Sequence, residues 1–321
     1  MNDKQINNNK TIIEYPKDII SSALVEIGSK NNNIVFISCD TSLGTGANEF
    51  KNRFPQRHIE FGIQEQNAIS AAAGMALMGK IPYIGAHVPF ITLKCVEQIR
   101  NDLCKTNLNV NIIGRDFGLQ TPSLGPTHMI IEDIGVLRTL PNITIIAPSD
   151  GIEYRSAIMA ASEIEGPVYI RVSRQPAKRI NNINYEFKVG KGNLLVSGQD
   201  ITLIATSTMV ADTIDAAEIL KLKGINAEVL NIHTIKPIDK SLILKSCTKT
   251  NIAVSIEEHS VINGLGCAVG EILIENKPMK LLRIGLKDDF VITGETYDQL
   301  KNYYGLTAKK IAEKVIHFIN T

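Results

Sequence analysis

The chain has 321 residues, 44% of them hydrophobic and 21% charged, with 34 Lys+Arg against 33 Asp+Glu for a net charge of +1. At about 150 residues per domain the length predicts two domains, and the balance excludes a disordered or fibrous chain. A nearly neutral chain carries no footprint of nucleic-acid or anionic-membrane binding, and its longest apolar run, Ala68 to Met78, falls short of the ~20 residues of a membrane helix.

Residues 1–12 read as a flexible polar lead with no apolar segment, so no secretory signal is expected. The five cysteines (Cys39, Cys95, Cys104, Cys247, Cys267) are scattered and show no zinc spacing. Reduced thiols and a cytoplasmic location are the expectation, with no metal site on this chain. From residue 13 short apolar runs alternate with helix-like segments. The strands expected are Ile34–Ser38, His58–Phe61, Ile81–Ile84, Val110–Ile113, Ile143–Ile146 and Val168–Val172. Between them lie helices over Asp18–Ser29, Glu65–Met78, Thr92–Cys104, Ile130–Leu140 and Gly151–Glu163. This alternation predicts a doubly wound α/β domain with a parallel sheet over 13–178. The polar, aperiodic stretch 179–192 reads as a linker. A second, smaller α/β domain over 193–321 follows, with strands Ile201–Ala205, Ala227–Leu230, Ile252–Ile256 and Leu281–Ile284. Its helices are Met209–Leu222, Ser241–Thr248, Leu265–Ile274 and Ala308–Phe318.

Four segments carry candidate chemistry. Glu65 opens a helix just after a strand. The helix dipole favours a first-turn glutamate in any helix, yet the carboxyl end of a parallel strand is also where open sheets bind ligands. His128 sits in a long loop, Gly114 to Met129, and is either a surface or capping histidine or a functional one. Phe90, before Glu97-Gln98-Ile99-Arg100-Asn101, is a core aromatic or a cofactor platform. Arg171 and Arg174 end the sixth strand, where an arginine suits an anionic ligand or simply faces water. In the second domain, Glu257-Glu258-His259 and Gly264-Leu265-Gly266 read as a tight strand–helix turn, an interface or a helix N-terminal anion site. There is no P-loop, no dinucleotide fingerprint after the first strand and no nucleophile elbow.

Taken in order, the phrases HIEFGIQEQNAISAAAG, VEQIRN, LGPTHMIIEDIGVLRTLPNITIIAPSD, GPVYIRVSR, NIHTIKPID and EEHSVINGLGCAVGE resemble the transketolase family of thiamine-diphosphate enzymes. The resemblance runs over about residues 15–320 and is closest to the C-terminal subunit of a split, two-chain transketolase. It implies a pyrimidine-binding (Pyr) domain followed by a transketolase C-terminal domain. It implies that Glu65 hydrogen-bonds the cofactor's aminopyrimidine and favours its imino tautomer, that Phe90 stacks on that ring, and that Asp40 lies near the cofactor at a subunit interface. His128 matches a substrate-contacting histidine and Arg174 an arginine for substrate phosphate. No Gly-Asp-Gly occurs in the chain. The Mg²⁺ ligands are therefore expected from a partner, the diphosphate-binding N-terminal subunit, in an α₂β₂ assembly acting on sugars or small carbonyls.

Departures from the family pattern bear on substrate. Leu124 stands where an aspartate usually reads a donor hydroxyl, Asp116 where a phosphate-binding histidine stands, Gly44 for a serine, Lys17 for an arginine, and His87 for one of two aromatics near the pyrimidine. A negative Asp116 in a phosphate pocket predicts an unusual donor or acceptor, such as a modified, nucleotide-linked or non-phosphorylated one. The alternatives are the β subunit of a 2-oxo-acid dehydrogenase, a carboligase acting on modified sugars, and a non-catalytic scaffold. The intact Glu65 speaks against the scaffold.

Overall fold

The computed structural model describes residues 11–321, so residues 1–10 of the expected polar lead lie outside the described residues. Apart from a short antiparallel pair, Ile13–Glu14 with Ala177–Lys178, the strands of the first unit are β1 (Ile34–Ser38), β2 (His58–Glu60), β3 (Ile81–His87), β4 (Asn111–Arg115), β5 (Thr144–Ile146) and β6 (Val168–Val172). The next six are β7 (Asn193–Val196), β8 (Ile201–Ala205), β9 (Ala227–Asn231), β10 (Thr234–Lys236), β11 (Ile252–Ser260) and β12 (Lys280–Leu286). A seven-stranded sheet runs β10-β5-β6-β4-β3-β1-β2, and a five-stranded sheet runs β12-β11-β8-β9-β7. Strands β1 to β6 are parallel throughout. The fold is thus two α/β units built on mainly parallel sheets.

Parallel sheets are covered on both faces, and their strands are continuously apolar for that reason. β1 and β6 are buried at every residue. Helices Pro16–Lys30 and Gly151–Ala161 pack Ile20, Leu24, Ile27, Tyr154 and Ile158 on one face. Glu65–Leu77 and the turns after Ile91 cover the other with Ile69, Ile99 and Leu103. Each fully buried Leu or Ile contributes about 1.5–3 kcal/mol through removal of apolar surface from water.

The two units interpenetrate in ways the linear pattern hides. β10 lies among second-unit residues but pairs antiparallel with β5 as an edge of the first sheet. The Ala147 amide also bonds His233 C=O at 2.7 Å. Conversely Leu119, Met129 and Ile131 of the first unit lie in the second unit's apolar core. Ile130 and Ile131 are therefore not helical, and the expected helix Ile130–Leu140 shrinks to Asp133–Leu137. Their carbonyls are taken by Gly118 N–H at 2.7 Å and Ser260 N–H at 2.8 Å.

A second expected helix, Thr92–Cys104, also breaks. Residues Val88–Ile91 form one turn, Leu93–Cys95 a tight turn, Val96–Gln98 an α-turn and Ile99–Cys104 a wide π-type turn. Thr92 Oγ1 donates to Val88 C=O at 2.5 Å, a side-chain bond that competes with helix continuation. The break turns the Leu93–Cys95 segment back over the start of the Glu65 helix. Three helices escaped the sequence pattern, the short Ser42–Thr45 and Asn48–Arg53 after β1 and the longer Tyr297–Tyr304. The signal of the last can be traced: Thr296 accepts from Gln299 N–H at 3.2 Å, and Thr and Gln stand three apart as in a capping box.

Candidate active site

The order of the large sheet reverses beside β1, with β2 on one side and β3 on the other. Ligands of open α/β sheets bind outside the carboxyl ends of strands at such a point. Asp40 follows β1, the loop to Glu65 follows β2, His87 ends β3 with Phe90 after it, Arg115 ends β4 with Asp116 after it, and Arg174 follows β6. One edge of the sheet thus gathers nearly every candidate.

Glu65 is the first residue of its helix and is only 3% exposed. Among the described residues its carboxylate has one polar partner, Lys94 Nζ at 2.5 Å. The same ammonium lies over the Phe90 ring, 5.3 Å from its centroid. Phe90 is half-buried, and its ring meets the His128 ring edge-on at 5.3 Å. His87 lies 6.3 Å from both Phe90 and His128. His128 Nδ1 is 3.0 Å from Thr127 Oγ1. Burial holds His87 below the usual histidine range despite Asp116 beside it, which keeps the ring neutral at pH 7.

Asp40 sits exposed in the left-handed region, with φ 57°. Its amide donates to Glu60 Oε1 at 2.7 Å, and Gly62 N–H donates to the same oxygen at 2.9 Å. Partial burial pushes the Glu60 carboxyl up, but these two amides outweigh it and hold it below the ordinary value.

Lys17, Gly44, Thr45, Ile113, Arg115, Asp116, Val172, Ser173 and Arg174 line a cavity of about 230 Å³. Asp116 at its base is fully buried. Its Oδ1 accepts from Arg115 Nε at 3.0 Å and Nη2 at 2.9 Å, and its Oδ2 accepts from Arg174 Nη1 at 3.3 Å. His87 Nδ1 approaches Asp116 Oδ2 to 3.2 Å without a hydrogen bond. A path of close contacts therefore runs from the Phe90 ring through His87 to this cavity.

Asp116 does not stand as a bare negative charge in the pocket, because two guanidinium groups saturate it. Arg115 escaped the sequence reading, although it ends a strand as Arg174 does. A Cβ at position 44 would overlap Arg115 Nη1, so the space a serine would fill holds the arginine head. Arg174 is 51% exposed and Arg115 side chain 14% exposed, so both keep donors toward the cavity. Leu124 is 50% exposed on the turn Pro122–Leu124 and does not line the cavity around Asp116.

Two other candidates have structural roles. Arg171 is fully buried, forks onto Asp133 at 2.8 and 2.9 Å, and donates to Glu258 C=O at 3.0 Å. Its guanidinium lies 3.8 Å from the Phe117 ring centroid. Arg171 is thus a joint between the units. Glu257 accepts from Leu265 and Gly266 N–H at 2.7 and 2.8 Å. The helix N-terminus that could have held an external anion is capped by the chain itself. Glu258, singled out in the same segment with an interface among its readings, accepts from Leu119 N–H at 2.7 Å and Tyr297 OH at 2.5 Å. It ties the His128 loop to the second unit.

Comparison with known proteins decides the family. The pattern of the transketolase pyrimidine-binding domain matches residues 17–179, and that of the transketolase C-terminal domain matches 190–311. The chain belongs to the transketolase family. A 6-deoxy-6-sulfo-D-fructose transketolase subunit of Clostridium sp. strain MSTE9 is 41% identical over 92% of this chain and 91% of its own length. An apulose-4-phosphate transketolase subunit of Phocaeicola vulgatus is 33% identical over 93% and 96%. The solved structure titled split gene transketolase, inactive beta4 tetramer, superposes with a TM-score of 0.86 at 36% identity, covering 96% of this chain and 98% of that one. The Campylobacter jejuni transketolase has the same fold, with a TM-score of 0.82 at 18% identity, and this transketolase chain spans 47% of its length.

Proposed function

We propose that this chain is the pyrimidine-side subunit of a two-chain transketolase, transferring a two-carbon ketol unit from an atypical ketose bearing an oxyanion head group. The observation that carries the reading is the buried Glu65 carboxyl at a helix start beside the Phe90 ring, in a chain with the family's two C-terminal domains. A buried carboxylate whose one partner is a partly exposed lysine suits a ligand that offers its own nitrogen there. That supports thiamine diphosphate with its aminopyrimidine at Glu65 and Phe90. Its diphosphate and Mg²⁺ would be held by an N-terminal subunit, in an α₂β₂ complex. The subunit names of the relatives support the partner.

Each residue then has a task. Glu65 holds a proton at the pyrimidine ring nitrogen, and Phe90 fixes the ring plane. Thiamine diphosphate, when bound, supplies the nucleophilic carbon and the electron sink for carbon–carbon cleavage. His128 and neutral His87 line the path from that ring to the head-group cavity and suit hydrogen bonds to donor hydroxyls. Arg115, Arg174 and Lys17 hold the far end of the ketose, because guanidinium forks match tetrahedral oxyanions. Asp116 lies directly behind the forks. By offsetting part of the arginine charge it lowers the gain from a second negative charge on the head group, which suits a sulfonate monoanion. The sulfo-sugar relative supports the same choice.

The test is the co-purified two-chain complex, assayed for ketol transfer from 6-deoxy-6-sulfofructose and from fructose 6-phosphate to a common aldehyde. The sulfonate should give the higher kcat/KM. Glu65→Gln should lower kcat by at least about a hundredfold while the complex still assembles. Near-normal turnover by that variant sinks the assignment.

A further inference from the structure

Lys94 belongs to no part of the mechanism so far, yet its ammonium stands between the two groups assigned to the aminopyrimidine. It bonds Glu65 Oε2 at 2.5 Å and lies over the Phe90 ring at 5.3 Å. The lysine comes from the turn Leu93–Cys95, whose Lys94 C=O accepts from Gln66 Nε2 at 3.0 Å. Its side chain is 40% exposed while Glu65 is 3% exposed, so the lysine has an exit to water that the glutamate lacks.

We propose that Lys94 is a resident occupant of the aminopyrimidine slot that must leave before the cofactor binds, coupling cofactor capture to proton uptake by Glu65. This rests on the assignment of Glu65 and Phe90 above. A carboxylate removed from water needs a counter-charge or a proton. In the free chain the Lys94 ammonium is the counter-charge seated against the Glu65 carboxyl. An aromatic ring nitrogen that accepts a hydrogen bond needs a donor instead, so Glu65 has to hold a proton when the ring takes the slot. The swap sends an ammonium to solvent and brings one proton in.

The other titratable groups facing Glu65 do not compete in this exchange. Cys39, at the end of β1, and Cys95, on the Lys94 turn, are pushed up to about 12, by burial first and then by the Glu65 charge. Both thiols are neutral over the working range. Among the described residues Lys94 is the one cation bonded to Glu65.

The test is calorimetric titration of thiamine diphosphate, with Mg²⁺ present, into the cofactor-free two-chain complex. Buffers of different ionisation enthalpy at several pH values count the protons taken up. Wild type should bind with proton uptake and a Kd that weakens as pH rises. Lys94→Met empties the slot and takes the counter-charge away from the buried Glu65 carboxyl. Its Kd should tighten by about tenfold, with a flatter pH dependence and less proton uptake. Lys94→Arg, which keeps the charge, should restore the wild-type proton count. If Lys94→Met binds no tighter than wild type, or takes up as many protons, Lys94 is no occupant and the Glu65 assignment stands without it. If no form of the complex binds thiamine diphosphate, the cofactor assignment falls and this inference with it.

Discussion

Two aspartates ending up against arginines make opposite uses of the same chemistry. Asp133 and Arg171 are both fully buried, and Tyr169 OH closes the pair at 2.7 Å. Burial alone would push the Asp133 carboxyl up, but the Arg171 charge outweighs it and holds the group below its usual range. Every direction around that pair is protein. Asp116 is equally buried, yet its partners Arg115 and Arg174 open onto a cavity. The first pair joins two units; the second orients donors toward whatever enters. Burial of the acid therefore says little about role, and the exposure of the arginine says much.

The largest effect that would test this contrast is on stability. Asp133→Asn leaves the Arg171 charge buried and uncompensated, and breaking such a pair costs about 3–5 kcal/mol. Chemical denaturation should show that loss. Asp116→Asn, with its arginines able to turn to solvent, should cost about 1 kcal/mol or less. Equal losses in the two variants would erase the distinction drawn here.

Glu153 extends the comparison to a buried acid without a cation. It accepts from Ser149 Oγ at 2.8 Å and Asn231 Nδ2 at 2.7 Å, the latter across the two units. Burial, with the Asp150 charge added, pushes it up to about 7. A folded-state value above the unfolded one favours the protonated form. The stabilisation is fully present below the unfolded value near pH ~4.5 and is lost as pH rises through 7. Stability should therefore fall by on the order of 3 kcal/mol across that window. Glu153→Gln, which removes the titrating carboxyl and keeps one acceptor oxygen for Ser149 or Asn231, should flatten the profile in denaturation curves measured at several pH values.

How far these roles were legible in the sequence depends on distance along the chain. The apolar runs at β1 and β6 specify their strands outright, because strands buried on both faces have little freedom of composition. The place of Glu65 at a helix start after a strand was legible in its local phrase, while its task and that of Phe90 are what the family resemblance implies. Lys94 was not, since nothing local tells that a lysine 29 residues on folds back to Glu65. β10 was missed for the same reason: its short run pairs with a strand of the other unit. Arg171 and Arg174 read alike as strand-end arginines, and only the packing of Asp133 and Phe117 around Arg171 separates them.

Gly44 and Arg115 give the finest cut at the comparison. Arg115→Ala removes a charged fork from the cavity and should raise KM for an oxyanion-bearing ketose by about 10–100-fold, the range of a hydrogen bond to a charged group. Asp116 keeps Arg174 as a counter-charge, so the loss of stability should stay below that of Asp133→Asn. Gly44→Ser acts on the same group from the other side. A side chain there overlaps Arg115 Nη1, so the guanidinium has to turn away from its present place. Because Arg115 remains able to reach the cavity, the rise in KM should be smaller, about tenfold. A ketose with an uncharged terminus is the internal control. Both variants should leave its kcat/KM unchanged if the cavity reads the head group. If they slow it equally, Arg115 supports the wall of the site, as Arg171 supports the joint between the units, and the contrast between the two arginines would close.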